Sequence, residues 1–334
     1  MKTKDKVLSI AVPSYNVERY LADSLASYCA AGVDDRLEVL IVNDGSTDLT
    51  PAIANEFVKL YPEVFRLVNK ENGGHGSAIN AGIDAATGKY FRIIDGDDRI
   101  CAMNLTALLS ALEYAEDDLV VDVKREVVLG TDESRLLVLP PDIPRRVSLP
   151  FESVCTRFDI EEFFMIHTVS ARTDFLREHH VKLLEHTFYV DYEFIVKIGS
   201  AARTVQFLDL EACNYYVGNA EQSVAPANYV RRWGDHTRVT YELLKFADES
   251  ALDPVQQEFV DGRVQLVVDT HYNIALIYDA DRERGLARAR EFRAYLKERH
   301  PRFYRYGEKR YHQAKVLHKL GFDAARLDKL MGRA

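Results

Sequence analysis

Apolar and polar residues alternate in blocks along the first hundred positions. Residues 7–12 (Val-Leu-Ser-Ile-Ala-Val) read as a buried strand; after the turn Pro13-Ser14-Tyr15-Asn16, the residues Leu21, Leu25, Tyr28 and Cys29 fall on one helical face. The unit then repeats. Residues 37–42 predict a second strand, 43–48 a loop rich in capping residues, and 51–60 a helix entered through Pro51. Residues 65–68 predict a third strand, 69–76 a glycine-bearing loop, 77–86 a helix and 90–94 a fourth strand. Strands alternating with helices imply an α/β fold whose mostly parallel sheet is flanked by helices.

Past residue 100 the pattern weakens. Residues 105–114 predict a helix, and 119–138 hold β-rich fragments around the turn Gly130-Thr131-Asp132. Pro140, Pro141, Pro144 and Pro150 mark an irregular connection, followed by an expected helix over 151–164 and a strand over 166–171. From residue 228 onward the periodicity is helical, with 255–277 the longest stretch, so a C-terminal helical extension is expected. No internal repeat is visible beyond the strand-helix units.

Ligands of open α/β sheets bind in the crevice beyond the carboxyl ends of the strands. Tyr15, Asp44, Gly74 and the cluster Asp95-Gly96-Asp97-Asp98 all follow predicted strands, so one site is expected there. The cluster is the strongest chemical signal. Unpaired carboxylates at a strand end repel one another, and a site that concentrates them holds a divalent cation or manages protons. A cation is the leading reading; a solvated acidic turn is the alternative.

At 334 residues, with 47% apolar and 28% charged residues, the chain can bury a substantial core and exceeds the usual single-core size, which suggests one large α/β domain with an elaboration or two domains. The first residues run straight into a strand-like segment rather than a secretory signal, and no apolar run approaches the roughly 20 residues that span a bilayer. Cys29, Cys101, Cys155 and Cys213 are widely spaced without a Cys-x-x-Cys pair, which predicts reduced thiols, no zinc site and a cytoplasmic protein. The net charge of −9 hides an asymmetry, because residues 281–334 carry 16 Lys or Arg against 7 Asp or Glu. A basic helical tail suits peripheral contact with the inner face of a membrane or with a polyanion, and solvated faces on ordinary helices are the plainer reading. No nucleic-acid motif accompanies the charge, so a nucleic-acid partner is not expected.

Four segments in order carry a family resemblance: Val7 to Asn16 (VLSIAVPSYN), Glu38 to Asp48 (EVLIVNDGSTD), Glu71 to Gly82 (ENGGHGSAINAG) and Gly88 to Asp98 (GKYFRIIDGDD). They resemble glycosyltransferase family 2 and its GT-A fold. A looser fifth match, Tyr189-Val190-Asp191-Tyr192-Glu193-Phe194, resembles the family's acidic acceptor-side motif, with valine in place of its glutamate. The resemblance implies a GT-A domain over 1–225, with a nucleotide half (1–100) and an acceptor half (101–225), followed by a helical region over 226–334. It implies an inverting, metal-dependent transfer from a UDP-sugar to a glycan or lipid-linked acceptor in polysaccharide or cell-envelope biosynthesis. Pro13, Tyr15, Asp44, Gly74, Asp95 and Asp97 are then expected to bind the nucleotide. Asp97 and Asp98 are expected to hold Mn²⁺ or Mg²⁺, and Asp191 to act as base.

Ile79 stands where some members carry a basic residue, and Gln222 with the distant Arg232-Trp233 is not the compact Gln-x-x-Arg-Trp motif of processive synthases. A non-processive enzyme is therefore expected. Gly73 and Gly74 either admit a ligand close to the backbone or close a turn, and His75 reads as a polar loop residue. His167 and His186 are weaker substrate candidates, and Tyr215, Tyr216 and Trp233 suit core packing better than a sugar platform. A dinucleotide-dependent oxidoreductase needs Gly-x-Gly-x-x-Gly after the first strand, where this chain has Pro13-Ser14-Tyr15-Asn16. A pyrophosphorylase needs a glycine-rich basic loop at that place, and an aspartyl phosphatase needs its Asp-x-Asp there. The remaining alternative is a noncatalytic nucleotide-sugar or glycan-binding module on the same scaffold.

Overall fold

The computed structural model describes residues 6–29, 33, 35–158, 160, 162–218 and 222–326. The chain divides into two compact units, 1–186 with 197–219 and 187–196 with 220–334.

The first unit opens with β1 (Leu8–Ser14), α1 (Glu18–Ala26), β2 (Leu37–Asp44), α2 (Thr50–Leu60), β3 (Phe65–Lys70), α3 (His75–Ala85) and β4 (Tyr90–Ile93). β1 pairs in parallel with β2 on one side and β4 on the other, and β2 pairs in parallel with β3. The period-two alternation of a strand decides what each face meets. Leu8, Ile10 and Val12 share a core with Leu21 and Leu25 of α1 and Ala54 of α2. Ala11 points the other way, onto α3, where a Cβ added at Gly82 would lie 2.7 Å from the Ala11 Cβ. Only glycine lets α3 approach β1 so closely.

The chain continues with β5 (Arg99–Ile100), α4 (Ala102–Tyr114), β6 (Leu119–Val128), β7 (Ser134–Leu136), β8 (Ser148–Pro150), α5 (Phe151–Arg157), β9 (Val169–Arg172), α6 (Thr173–Glu178), α7 (Val190–Ala201), whose residues up to Val196 count in the second unit and the rest in the first, and β10 (Thr204–Val217). The sheet order is β3-β2-β1-β4-β9-β6-β10-β5, with β7 on β6 and β8 on β10. β9 runs antiparallel to both neighbours, β4 and β6, whereas β6 and β10 are parallel. Beneath β9, Arg92 of β4 donates to Asp122 of β6 through both terminal nitrogens, to Ser170 at 3.3 Å and to the His167 carbonyl at 2.5 Å. Both charges are fully buried. Burial lifts the Asp122 carboxyl to about 6 against the pull of Arg92.

Two expectations change here. The helix expected over 151–164 ends at Arg157 and the strand expected from 166 starts at Val169. Between them the backbone is held by side chains: Thr168 donates to the carbonyls of Phe163 and Met165, and Arg92 takes that of His167. The fourteen-residue β10 was not visible in the sequence. Its register shifts between Phe207 and Glu211 and again before Cys213, and such bulges erase the strict alternation by which a strand is read.

The second unit holds α8 (Pro226–Arg231), α9 (Trp233–Glu249), α10 (Pro254–Asn273), a π-helical turn (Ile274–Tyr278), α11 (Arg282–Arg299) and α12 (Pro301–Lys319). A capping box starts α10, with the Asp253 carboxylate accepting from Val255 N and Gln256 N and the Gln256 side chain accepting from Asp253 N. The long periodic stretch read at 255–277 is α10 plus the π-turn. Among the described residues, no helix is long and apolar enough to cross a membrane.

Candidate functional site

The parallel pairing of β2, β1 and β4 places the residues that follow them side by side, and hydrogen bonds then join them. Asp44, at the end of β2, accepts from Gly73 N at 2.9 Å and Gly74 N at 2.8 Å, and pairs with Lys70 at 2.7 Å. Gly74 adopts φ 84° as the N-cap of α3, a left-handed backbone that costs glycine little. The next residue, His75, meets Asp95 at 2.9 Å through Nε2. Gly96 closes the chain of contacts, since a Cβ there would lie 3.3 Å from the Pro13 carbonyl oxygen. Tyr15, just past β1, is 51% exposed and open to a ligand.

Carboxylate oxygens of Asp95, Asp97 and Asp98 lie within 4.8 Å of one another. Asp98 is buried and accepts from Tyr216 N of β10 at 2.9 Å. Burial and then the Asp95 charge push Asp97 up to about 6; the same causes together with Asp97 raise Asp98 well above the usual carboxylate range, against the pull of Lys124. Burial acts on Asp95 in the same sense, but His75 outweighs it and keeps Asp95 below its ordinary value. The site is thus short of positive charge, and its all-oxygen donors fit a hard divalent cation such as Mn²⁺ or Mg²⁺.

Around the trio stand groups that the sequence had not assigned. Lys70 is the direct cross-strand partner of Asp44 in the β2–β3 register, a signal available once the strands are paired. His75, read as a polar loop residue, is bonded to the trio. Lys124 lies 4.4 Å from the Tyr215 ring centroid, and Tyr215 stacks on His167 at 4.6 Å and 7°. Burial and then the Lys124 charge lower the His167 pKa to about 3. Tyr216 lies under the Arg99 guanidinium at 4.9 Å. The tyrosines therefore pack against protein groups, as expected.

Asp191 belongs to the second unit, as the second residue of α7. Tyr189, held at φ 69°, stacks on Tyr229 at 4.8 Å and 12° and donates to the Ser223 carbonyl at 3.0 Å. Tyr192 and Tyr229 meet through their hydroxyls at 3.2 Å. Burial raises both hydroxyls, their mutual hydrogen bond raising Tyr229 and lowering Tyr192, and the Asp191 charge raises each further, so Asp191 sits beside this tyrosine cluster. Glu193, two residues on, is buried. Trp233 stacks on His271 at 3.9 Å and 23°, again as a packing residue.

Residues 9–172 match the family described as Glycosyl transferase family 2. The chain is similar to the uncharacterised glycosyltransferase EpsJ of Bacillus subtilis, with 35% identity over 114 residues, 34% of this chain and 33% of EpsJ. It is similar to the teichoic acid poly(glycerol phosphate) polymerase of Staphylococcus epidermidis, with 24% identity over 264 residues, 76% of this chain and 34% of the polymerase. These matches span about a third of each relative's length. In structure the chain resembles residues 1–349 of TarS from S. aureus, crystallised with UDP-GlcNAc, at a TM-score of 0.66 and 17% identity over 95% of this chain and 92% of that one. The last likeness concerns the fold, which is the GT-A type with a helical C-terminal part. With that fold, the strand-end carboxylates and the family match over 9–172, this segment, just under half of the chain, belongs to glycosyltransferase family 2.

Proposed function

We propose that the protein is an inverting, non-processive glycosyltransferase that moves a sugar from a UDP-sugar to a glycan or lipid-linked acceptor in the cytoplasm, in cell-envelope polysaccharide synthesis. The observation that carries the reading is the trio Asp95, Asp97 and Asp98, its oxygens within 4.8 Å, joined through His75 to the Gly73-Gly74 backbone. The envelope assignment is supported by the similarity to the teichoic acid polymerase, and the uridine by the likeness to TarS crystallised with UDP-GlcNAc. Four cysteines, none of them in a disulfide among the described residues, support a reducing compartment.

Each residue has a defined task in this reading. Tyr15 offers an exposed ring for stacking on the base, the Pro13 carbonyl accepts from it, and Asp44 keeps the Gly73-Gly74 turn shaped for the phosphates. Asp97 and Asp98 would hold Mn²⁺ or Mg²⁺, which when bound offsets the charge developing on the departing diphosphate. Asp191 takes the proton from the acceptor hydroxyl as its oxygen bonds to the anomeric carbon, the bond to the diphosphate oxygen breaks, and UDP leaves. Attack opposite the leaving group inverts that carbon, so an α-linked donor yields a β-linked product.

The test separates the two acidic centres. Asp97→Ala is expected to abolish Mn²⁺-dependent binding of UDP-sugars by calorimetry. Asp191→Asn is expected to bind donor normally and to lose transfer by roughly 10² to 10⁴, the usual worth of a general base. Full transfer by Asp191→Asn removes the base assignment; donor binding without any turnover by the parent protein, across acceptors, turns the reading to a binding module.

A further inference from the structure

We propose that the outer face of α12 is a docking surface for an anionic lipid bilayer. The helix buries Phe303, Gly307, Tyr311, Ala314 and His318 on one side, at spacings of three and four. The opposite side is exposed and carries Arg305, Tyr306, Lys309, Val316, Lys319 and, at the C-cap, Leu320. Three of these are large apolar residues left in water, Tyr306 at 51%, Val316 at 56% and Leu320 at 65% exposure.

Charge selects the partner. The only acidic residue within α12 is Glu308, and Arg293 of α11 occupies it through two contacts of 2.7 Å. Other cations of the helix are engaged within the unit: Arg302 with Asp248 and Asp261, Arg310 with Asn273. Arg305, Lys309 and Lys319 have no carboxylate partner among the described residues and stand outward on the same side as the apolar three. The outer positions of α11 differ, since Glu283, Glu291 and Glu298 alternate there with Arg290 and Lys297. Basic tail composition thus resolves into one helix face of a single sign.

Cations interleaved with apolar side chains match an interface of anionic headgroups over acyl chains. A soluble polyanion would engage the cations and leave Tyr306, Val316 and Leu320 in water. The bilayer accounts for both sets, and the surface lies outside the sugar-nucleotide residues.

The experiment uses the full chain with vesicles of phosphatidylglycerol mixed with phosphatidylcholine, and of phosphatidylcholine alone. Sedimentation is expected to show binding only to the anionic vesicles. Each cation near such a surface is worth roughly a fivefold change in partitioning, so Arg305→Gln, Lys309→Gln and Lys319→Gln together should cut binding by more than about tenfold. Tyr306→Ser, Val316→Ser and Leu320→Ser together should do the same, although no charge has changed. A Tyr306→Trp protein, compared with the parent whose single tryptophan is Trp233, should show a blue-shifted emission on adding anionic vesicles. Equal binding to neutral vesicles, undiminished binding by the serine variant, or no blue shift would overturn the proposal. Melting temperatures check that the variants fold; if one does not, the Tyr306→Trp shift decides alone. Metal-dependent UDP-sugar binding in solution is expected to be the same in all of them, so failure here leaves the proposed transfer standing.

Discussion

Asp44 shows how one side chain serves both the fold and the site. Its Oδ1 accepts from Gly73 N and Lys70 while Oδ2 accepts from Gly74 N, all within 2.9 Å, in a buried setting. An asparagine of the same shape offers one oxygen and one N–H group. Whichever way the amide is turned, one loop N–H loses its acceptor and Lys70 loses its counter-charge. Asp44→Asn is therefore expected to cost about 1–3 kcal/mol in urea unfolding, the range for stranding a buried donor, and to weaken UDP-sugar binding. An unchanged unfolding midpoint would mean that the glycine turn stands without Asp44, and that its carboxylate faces the ligand alone.

At the scale of elements, the approach of α3 to β1 sets where the Gly74 and His75 end of the helix lies. Gly82→Ala would put a Cβ 2.7 Å from that of Ala11, closer than packed side chains tolerate. Overpacking of this kind costs about 1–3 kcal/mol. Adding Ala11→Gly vacates the contested space, so the double variant is expected to recover part of the loss; simple additivity in denaturant midpoints would show that the two residues do not meet. This half of the molecule was legible in the sequence because β1, β2 and β4 are buried on both faces and so read as short continuous apolar runs between loops rich in turn and capping residues. The trio at the end of β4 was legible for the same reason: its composition contradicts its neighbourhood. What escaped was set by distant partners. β10 is bulged twice, the carbonyls of Phe163, Met165 and His167 are taken by Thr168 and Arg92, and the bonds of His75 to Asp95 and of Lys70 to Asp44 exist only once the sheet has brought the chain together.

Across the whole molecule, buried histidines make each unit sensitive to acid. In the first, His167 is pushed to about 3 by burial and Lys124; in the second, burial puts His236 at about 3, and His271, facing His236 and Arg288, well below its usual range. His236 and His271 share one contact of 2.9 Å between their Nδ1 atoms, so one of the two neutral rings donates its Nδ1–H and the other accepts. An unfolded histidine titrates near 6.5, whereas these do so lower when folded. Above about pH 6.5 neither state takes a proton and the full stability is present. As pH falls from about 6.5 toward 3, the unfolded chain binds protons that the folded chain refuses, and stability drops by up to about 1.4 kcal/mol per pH unit for each such group. Partly buried acids in the second unit, Asp235, Asp261 and Asp269, are raised by desolvation and act in the opposite sense, so the parent curve is a balance of the two. Comparing proteins isolates the histidine share. His236→Phe leaves His271 without its Nδ1 partner and is expected to melt lower than the parent at pH 8; between pH 6.5 and 5 it should lose less, because one refused proton has been removed. Melting curves that stay parallel from pH 8 to pH 5 would mean that His236 takes up its proton as readily in the folded protein as in the unfolded chain, and that the aromatic cluster of Tyr189, Tyr192 and Tyr229 around it admits the charge.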